Sequence, residues 1–185
     1  MEKKTNNTHN LQLLVLNGVM IALVFLTTFI IRFPGPIPPG YINLGDTVII
    51  ITALLLGKNS GFIAGAFGSA LADVAVPGGY IFAPVTFIVK GIEGYIIGRM
   101  AFPDNKSLSK VEMRKIIAVI TGQLVMVAGY FIAEMSVMKL FDPVFGLSAA
   151  IAELPLNLVQ GAASAVLGYM LYILLERAGV RKLLE

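Results

Sequence analysis

Residues 82–101 read FAPVTFIVKGIEGYIIGRMA, an apolar run long enough to cross a bilayer that carries Lys90 and Glu93 near its middle. A lone lysine at the bilayer centre costs roughly 3 kcal/mol on insertion scales, so charges at that depth face a bundle interior and mark a ligand or ion path. The segment points to a membrane protein built around a polar pocket. Composition agrees, since 57% of the 185 residues are hydrophobic, 14% are charged and the mean hydropathy is +0.83. A soluble domain of this size does not need so much apolar side chain.

The same composition removes several function classes. There is no cysteine, and the single histidine, His9, lies in the polar stretch MEKKTNNTHN. Disulfide scaffolds, zinc sites and histidine-based nucleophilic catalysis lack raw material, so no metal or cofactor is expected and an enzyme is disfavoured. A net charge of +3 is too small to suggest nucleic acid. The N-terminal stretch is too polar, and the apolar run after it too long, for a cleaved signal peptide, so the first span is expected to stay in the mature protein.

Apolar segments bounded by Pro, Gly or charge lie at about 11–31, 44–57, 61–76, 82–101, 115–138 and 148–175. They predict an all-α integral membrane fold of six transmembrane helices, a single membrane domain over 1–185 with residues 1–10 as a polar cytoplasmic tail. The second and third segments are short and could merge across Lys58-Asn59-Ser60-Gly61 into one hairpin or long helix. The basic residues favour six spans. With both termini in the cytoplasm, Lys3, Lys4, Lys58, Arg99, Lys106, Lys110, Arg114, Lys115, Arg177, Arg181 and Lys182 fall inside, against Arg32 and Lys139 outside. Five spans would turn the basic loop from Arg99 to Lys115 outward, against the positive-inside tendency.

Two segments carry unusual chemistry. GFIAGAFGSALAD places Gly61, Gly65 and Gly68 among alanines, a surface that lets helix backbones approach closely, so the second and third helices are expected in the interior. Between the first two spans, RFPGPIPPGYINLGD holds four prolines and three glycines in fifteen residues and cannot be a regular helix. It reads as an ordered, proline-rich outer loop or lid that holds Tyr41, Asn43 and Asp46 at the mouth of the bundle. Asn43 or Asp46 could equally cap the second helix, because either oxygen can accept an amide hydrogen at a helix start.

Depth places the remaining candidates. At 1.5 Å per residue, Lys90 and Glu93 share one helix face roughly 12–17 Å below the outer boundary. In AELPLNLVQG, Glu153, Asn157 and Gln160 fall at i, i+4 and i+7, a polar stripe on an apolar helix. Asp73 and Glu134 lie near the outer ends of their helices. Each has a plainer reading: Lys90 and Glu93 as a buried ion pair that fixes packing, Glu134 and Glu153 at headgroup level, and Asn157 and Gln160 as interhelical hydrogen bonds worth about 0.6 kcal/mol each. Together, with Tyr41, Phe82, Phe87 and Tyr95 as stacking partners, they describe a pocket for a small, flat, hydrogen-bonding molecule.

The order GYINLGD (40–46), GxxxGxxGSALAD (61–73), VKGIEG (89–94) and ELPLNLVQG (153–161) resembles the substrate-binding S components of energy-coupling factor transporters, in the branch of riboflavin-type and related vitamin-precursor binders. The likeness covers nearly the whole chain. It implies a six-helix capture protein in a prokaryotic plasma membrane, with membrane lipid around it and one vitamin bound near the outer face. It also implies a transmembrane T component and two ABC-type ATPases as partners; this chain has no Gly-x-x-x-x-Gly-Lys-Ser/Thr loop and is not the ATPase. Members of the family dock the T component through small residues on the first helix, a pattern present here as Gly18 and Ala22, with Gly in place of the more usual Ala.

A chain without tryptophan suits a smaller ring better than a three-ring isoalloxazine. Pyridoxine or hydroxymethylpyrimidine therefore ranks ahead of riboflavin, with Lys90 and Glu93 bonding ring nitrogen and hydroxyls. Two readings from other classes stand beside this one. In the first, Lys90, Glu93, Glu134 and Glu153 form an ion relay in a stand-alone secondary transporter, although residues 1–92 and 93–185 carry no evident inverted repeat. In the second, a membrane enzyme uses Glu93 and Asp46 as acid and base, without a recognisable nucleophile, metal set or phosphate loop.

Overall fold

A computed structural model describes residues 2–38, 40–102 and 111–180, and the side chains of all of these except 2–9 and 111. The side chains of Lys3, Lys4 and His9, and residues Lys106, Lys110, Arg181 and Lys182, lie outside the described residues.

Six α-helices follow one another: α1 (Glu2–Ile30), α2 (Gly45–Leu56), α3 (Lys58–Ala75), α4 (Ala83–Ala101), α5 (Val111–Met135) and α6 (Leu147–Arg177). The expected tail at 1–10 is not separate from the first helix. No Gly or Pro interrupts residues 2–17, and α1 begins at Glu2. Where the sequence left open a merger of the second and third segments, a single residue parts α2 from α3. Gly57 has φ of 87°, a left-handed conformation that L side chains resist, and its N–H donates to the Ala53 carbonyl.

The proline-rich segment is not an irregular loop throughout. Strands β1 (Arg32–Pro34) and β2 (Tyr41–Asn43) form an antiparallel hairpin in which Phe33 faces Ile42. Pro34 sits at the end of its strand, where a missing N–H costs no ladder bond. Outside the ladder, Gly35 N–H donates to the Gly40 carbonyl at 2.9 Å.

Among the described residues, three helices, spanning Asn10–Ile30, Glu112–Leu140 and Leu147–Arg177, are long and apolar enough to cross a membrane. The 12 residues of α2 fall short of a bilayer. The exterior is rich in large apolar side chains, among them Leu14, Ile132, Val166 and Leu174, as befits a membrane protein. Helix α2 is interior, buried from Gly45 through Thr47 and from Ile49 to Leu54. Helix α3 is interior on one face only, since Phe67, Leu71 and Val74 on its other face are 46%, 51% and 62% exposed.

The most extensive helix contact joins α3 to α4. A Cβ on Gly61 would stand 2.6 Å from the Gly94 carbonyl oxygen, and one on Gly65 would meet the Lys90 carbonyl. Two backbones in direct apposition leave no room for a side chain at either glycine. This packing seats Lys90 on the most closely packed helix pair of the bundle.

Candidate functional site

Beneath the hairpin the helices enclose a cavity of about 40 Å³. Its wall takes Thr28 from α1, Ser69 and Asp73 from α3, Thr86 and Lys90 from α4, Tyr130 and Glu134 from α5, and Glu153, Asn157 and Gln160 from α6. Gly40, Tyr41 and Asn43 of the hairpin, with Phe82 before α4, complete it. A void of that size admits a few waters, whereas pockets for drug-sized ligands run to roughly 300–1,000 Å³. The cavity is therefore too small, as it stands, for a ring-sized ligand.

The hairpin is held shut by side chains of the cavity itself. Ile37 N–H donates to Glu153 Oε1 at 3.0 Å, Asn43 N–H to Gln160 Oε1 at 2.8 Å, and the Tyr41 hydroxyl to Asp73 Oδ1 at 2.5 Å. Burial, and then the Asp73 carboxylate beside it, push the Tyr41 hydroxyl well above the ordinary tyrosine range, so it stays protonated and able to donate. Gly40 is required here by close approach. A Cβ on it would lie 2.8 Å from the Ile37 carbonyl and 3.1 Å from Glu153 Oε1.

Behind the cavity floor lies a charged network. Lys90 Nζ bonds Asp46 Oδ1 and stands 3.6 Å from Glu93 Oε2, with all three residues at most 1% exposed. Gln160 Nε2 donates to Asp46 Oδ2 at 2.8 Å, so Gln160 links α2 and the hairpin through its two ends. Glu93 turns toward α5, where Gln123 Nε2 donates to its Oε1 at 2.7 Å. Asp46 and Glu93 thus support Lys90 from behind and do not line the cavity. Opposite charge and multiple donors are what make such burial tolerable.

The two capping candidates separate. Asp46 lies in the first turn of α2 but makes no cap bond; its carboxylate points to Lys90 and Gln160. Asn43 does local work, its Oδ1 accepting from Gly45 N–H at 2.8 Å.

Tyr41, Asn43, Lys90, Glu153, Asn157 and Gln160 meet at the cavity. Glu134 differs from its headgroup-level expectation, for it is 3% exposed and on the cavity wall. Phe87 and Tyr95 are elsewhere: Phe87 packs edge-on against Phe62 and Phe67, and Tyr95 is 40% exposed. Tyr130 lines the cavity in their place. Its ring lies 5.4 Å from Lys90 Nζ, and its hydroxyl is 2.9 Å from Thr86 Oγ1. Thr28, Ser69, Thr86 and Tyr130 were not foreseen. Three of them carry a signal, since Ser69, Thr86 and Tyr130 each lie one turn before a charged wall residue, Asp73, Lys90 and Glu134. Gly18 and Ala22 sit on the exposed face of α1, and a Cβ on Gly18 would meet nothing within 4 Å. Among the described residues, no three His, Cys, Asp or Glu side chains converge as metal ligands.

At the far end of α5 and α6, a second lysine is buried. Lys115, counted above among cytoplasmic charges, is 2% exposed and donates to Glu112 at 2.7 Å, to the Tyr172 hydroxyl at 2.6 Å and to Glu176 at 3.4 Å.

An apolar-surfaced helical bundle with a polar cavity under a hairpin defines a membrane protein with an internal polar site. The sequence matches the family "ECF-type riboflavin transporter, S component" over residues 8–177, and the chain belongs to that family. It is a family of transporter subunits and not an enzyme class. Among its relatives, the "thiamine precursor transporter HmpT" of Lactococcus lactis subsp. cremoris is 30% identical over 179 residues, covering 96% of this chain and 95% of the relative. A Pyrococcus woesei protein described as an "uncharacterized protein in gap 3'region" is 37% identical over 158 residues, covering 84% of this chain and 97% of its own length.

Proposed function

We propose that this chain captures a small water-soluble vitamin or vitamin precursor at the outer face of a prokaryotic plasma membrane and delivers it inward with an ATP-driven energy-coupling module. The observation that carries the reading is the cavity, where polar groups from five helices gather beneath a hairpin closed by three long-range hydrogen bonds. Pyridoxine or hydroxymethylpyrimidine ranks ahead of riboflavin. The HmpT relative's printed role as a thiamine precursor transporter supports that order. Lys90 supplies the anchoring donor, Glu153, Asn157 and Gln160 bond the ring substituents, and Tyr41 and Tyr130 stack. Entry requires the hairpin to swing away, because the closed cavity admits only water-sized molecules.

In this proposal all six helices span the membrane with both termini in the cytoplasm, α2 and α3 being short because protein surrounds much of them. A T component docks on the exposed Gly18 and Ala22 face of α1, and two ABC-type ATPases complete the module. Gly18→Leu is expected to leave ligand affinity unchanged and to abolish co-purification with these partners; assembly in normal yield would move the docking face elsewhere.

Native mass spectrometry of the protein released gently from detergent tests capture directly. A bound vitamin or pyrimidine that is absent from Lys90→Met protein is the expected result. Uptake by the chain alone in liposomes under an ion gradient would overturn the proposal in favour of a secondary transporter.

A further inference from the structure

The charges on the cavity wall do not balance. Among the described residues that line it, Lys90 is the single cation, and its charge is already balanced by Asp46 and Glu93 behind it. Asp73, Glu134 and Glu153, on three different helices, are 4%, 3% and 5% exposed, and none of them forms an ion pair among the described residues. Glu153 and Asp73 each give one oxygen to the hairpin. Glu134 accepts no hydrogen bond at all among the described residues, and its Oε2 is fully buried.

The mismatch extends beyond the acids. Asp73 Oδ2 and the Thr28 hydroxyl, the latter on a residue 1% exposed, are also buried on this wall without a hydrogen-bond partner among the described residues. Thr28 can turn its hydroxyl to either role, but the carboxylate oxygens only accept unless protonated. A buried acceptor without a donor carries its full desolvation cost, and an unpaired buried carboxylate more still. Such a surplus persists in a folded protein when water, an ion or a ligand supplies the missing donors, and a ligand that displaces water from the cavity must supply them itself. Three aromatic rings, Tyr41, Phe82 and Tyr130, line the same space, and their electron-rich faces favour a positively charged ring.

We propose that the ligand is a basic nitrogen heterocycle, and that it presents N–H donors, from a protonated ring nitrogen or a ring-nitrogen and amino edge, to Glu134. Glu134 is then a ligand contact that sets specificity, while Lys90 takes the ligand's hydroxyl or other acceptor end. Charge-assisted bonds of this kind are about twice as strong as neutral ones. The neutral isoalloxazine of riboflavin, whose pyrimidine edge carries one imide N–H between two carbonyl acceptors, offers no positive charge and sets two acceptors beside the carboxylate. This inference rests on the capture reading above.

The test is calorimetric titration of the purified chain in detergent with 4-amino-5-hydroxymethyl-2-methylpyrimidine, pyridoxine and riboflavin, in wild type and Glu134→Gln. One of the two basic rings is expected to bind at least about tenfold more tightly than riboflavin, and to lose at least about tenfold in the variant. The glutamine keeps shape and removes an unpaired charge, so the melting temperature should not fall. Riboflavin bound as tightly as either basic ring, with Glu134→Gln indifferent, overturns the ligand class and leaves capture intact. Failure of all three probes to bind wild type overturns capture as well.

Discussion

Two of the described lysines are buried in this bundle, and their surroundings differ in one respect. Around Lys115 donors and acceptors match: it bonds Glu112, Tyr172 and Glu176, the Tyr172 hydroxyl donates to Glu176 at 2.6 Å, and the Tyr169 hydroxyl donates to Glu112 at 2.7 Å. Around Lys90 acceptors outnumber donors, and the wall nearby keeps unpartnered oxygens on Asp73 and Glu134. A satisfied cluster fixes two helices to each other, whereas an unsatisfied one has valences left for something else. Burial of a charge is thus not by itself the signature of a site; the remainder after internal pairing is.

The strongest way to break this contrast is to remove each lysine. Lys90→Met should weaken ligand binding by at least about a hundredfold, a loss of about 2.7 kcal/mol. It also strands Asp46, which is 0% exposed, and breaking such a pair costs roughly 3–5 kcal/mol of stability. Adding Asp46→Asn should restore the melting temperature without restoring affinity. Recovery of both would make Lys90 a packing residue like Lys115.

Lys115→Met should do the reverse. Stability should fall by about 1–3 kcal/mol as Glu112, Tyr172 and Glu176 each lose one of their donors, while affinity stays within about twofold. A large affinity change, read by the same titration, would join the two regions into one functional unit. The smallest effect is expected from Tyr41→Phe, which removes one closing bond worth about 1 kcal/mol and should speed ligand dissociation several-fold in stopped-flow displacement. An unchanged off-rate would mean that the hairpin is held by Glu153 and Gln160 alone.

The helices were legible because long apolar runs punctuated by Pro and Gly have few other solutions in a membrane. Depth counting from the hairpin end also brought Lys90, Glu153, Asn157 and Gln160 to one level, since helical rise is nearly constant. The hairpin was not legible as strands. RFP and YIN are three residues each, and their pairing depends on a turn rich in proline. Nor could spacing tell that Glu93 faces Gln123 or that Lys90 reaches Asp46, because both bonds cross between helices whose rotation is set by the Gly61–Gly94 apposition. Phe87 and Tyr95 were misplaced for the same reason. They share a helix with Lys90 but lie on faces that α3 and the bundle exterior take.

The three bonds that close the hairpin set a population as well as a shape. At about 1 kcal/mol each they hold the open form to about one molecule in a hundred when no ligand is bound, if the bonds break together. Only that fraction can admit a ligand, so the observed association rate is the intrinsic one multiplied by it. An association rate of about 10⁵ M⁻¹s⁻¹ would conceal an intrinsic one about a hundredfold faster. Conversely, a partner that merely loosened the hairpin could speed ligand exchange by up to about that factor without touching the ligand.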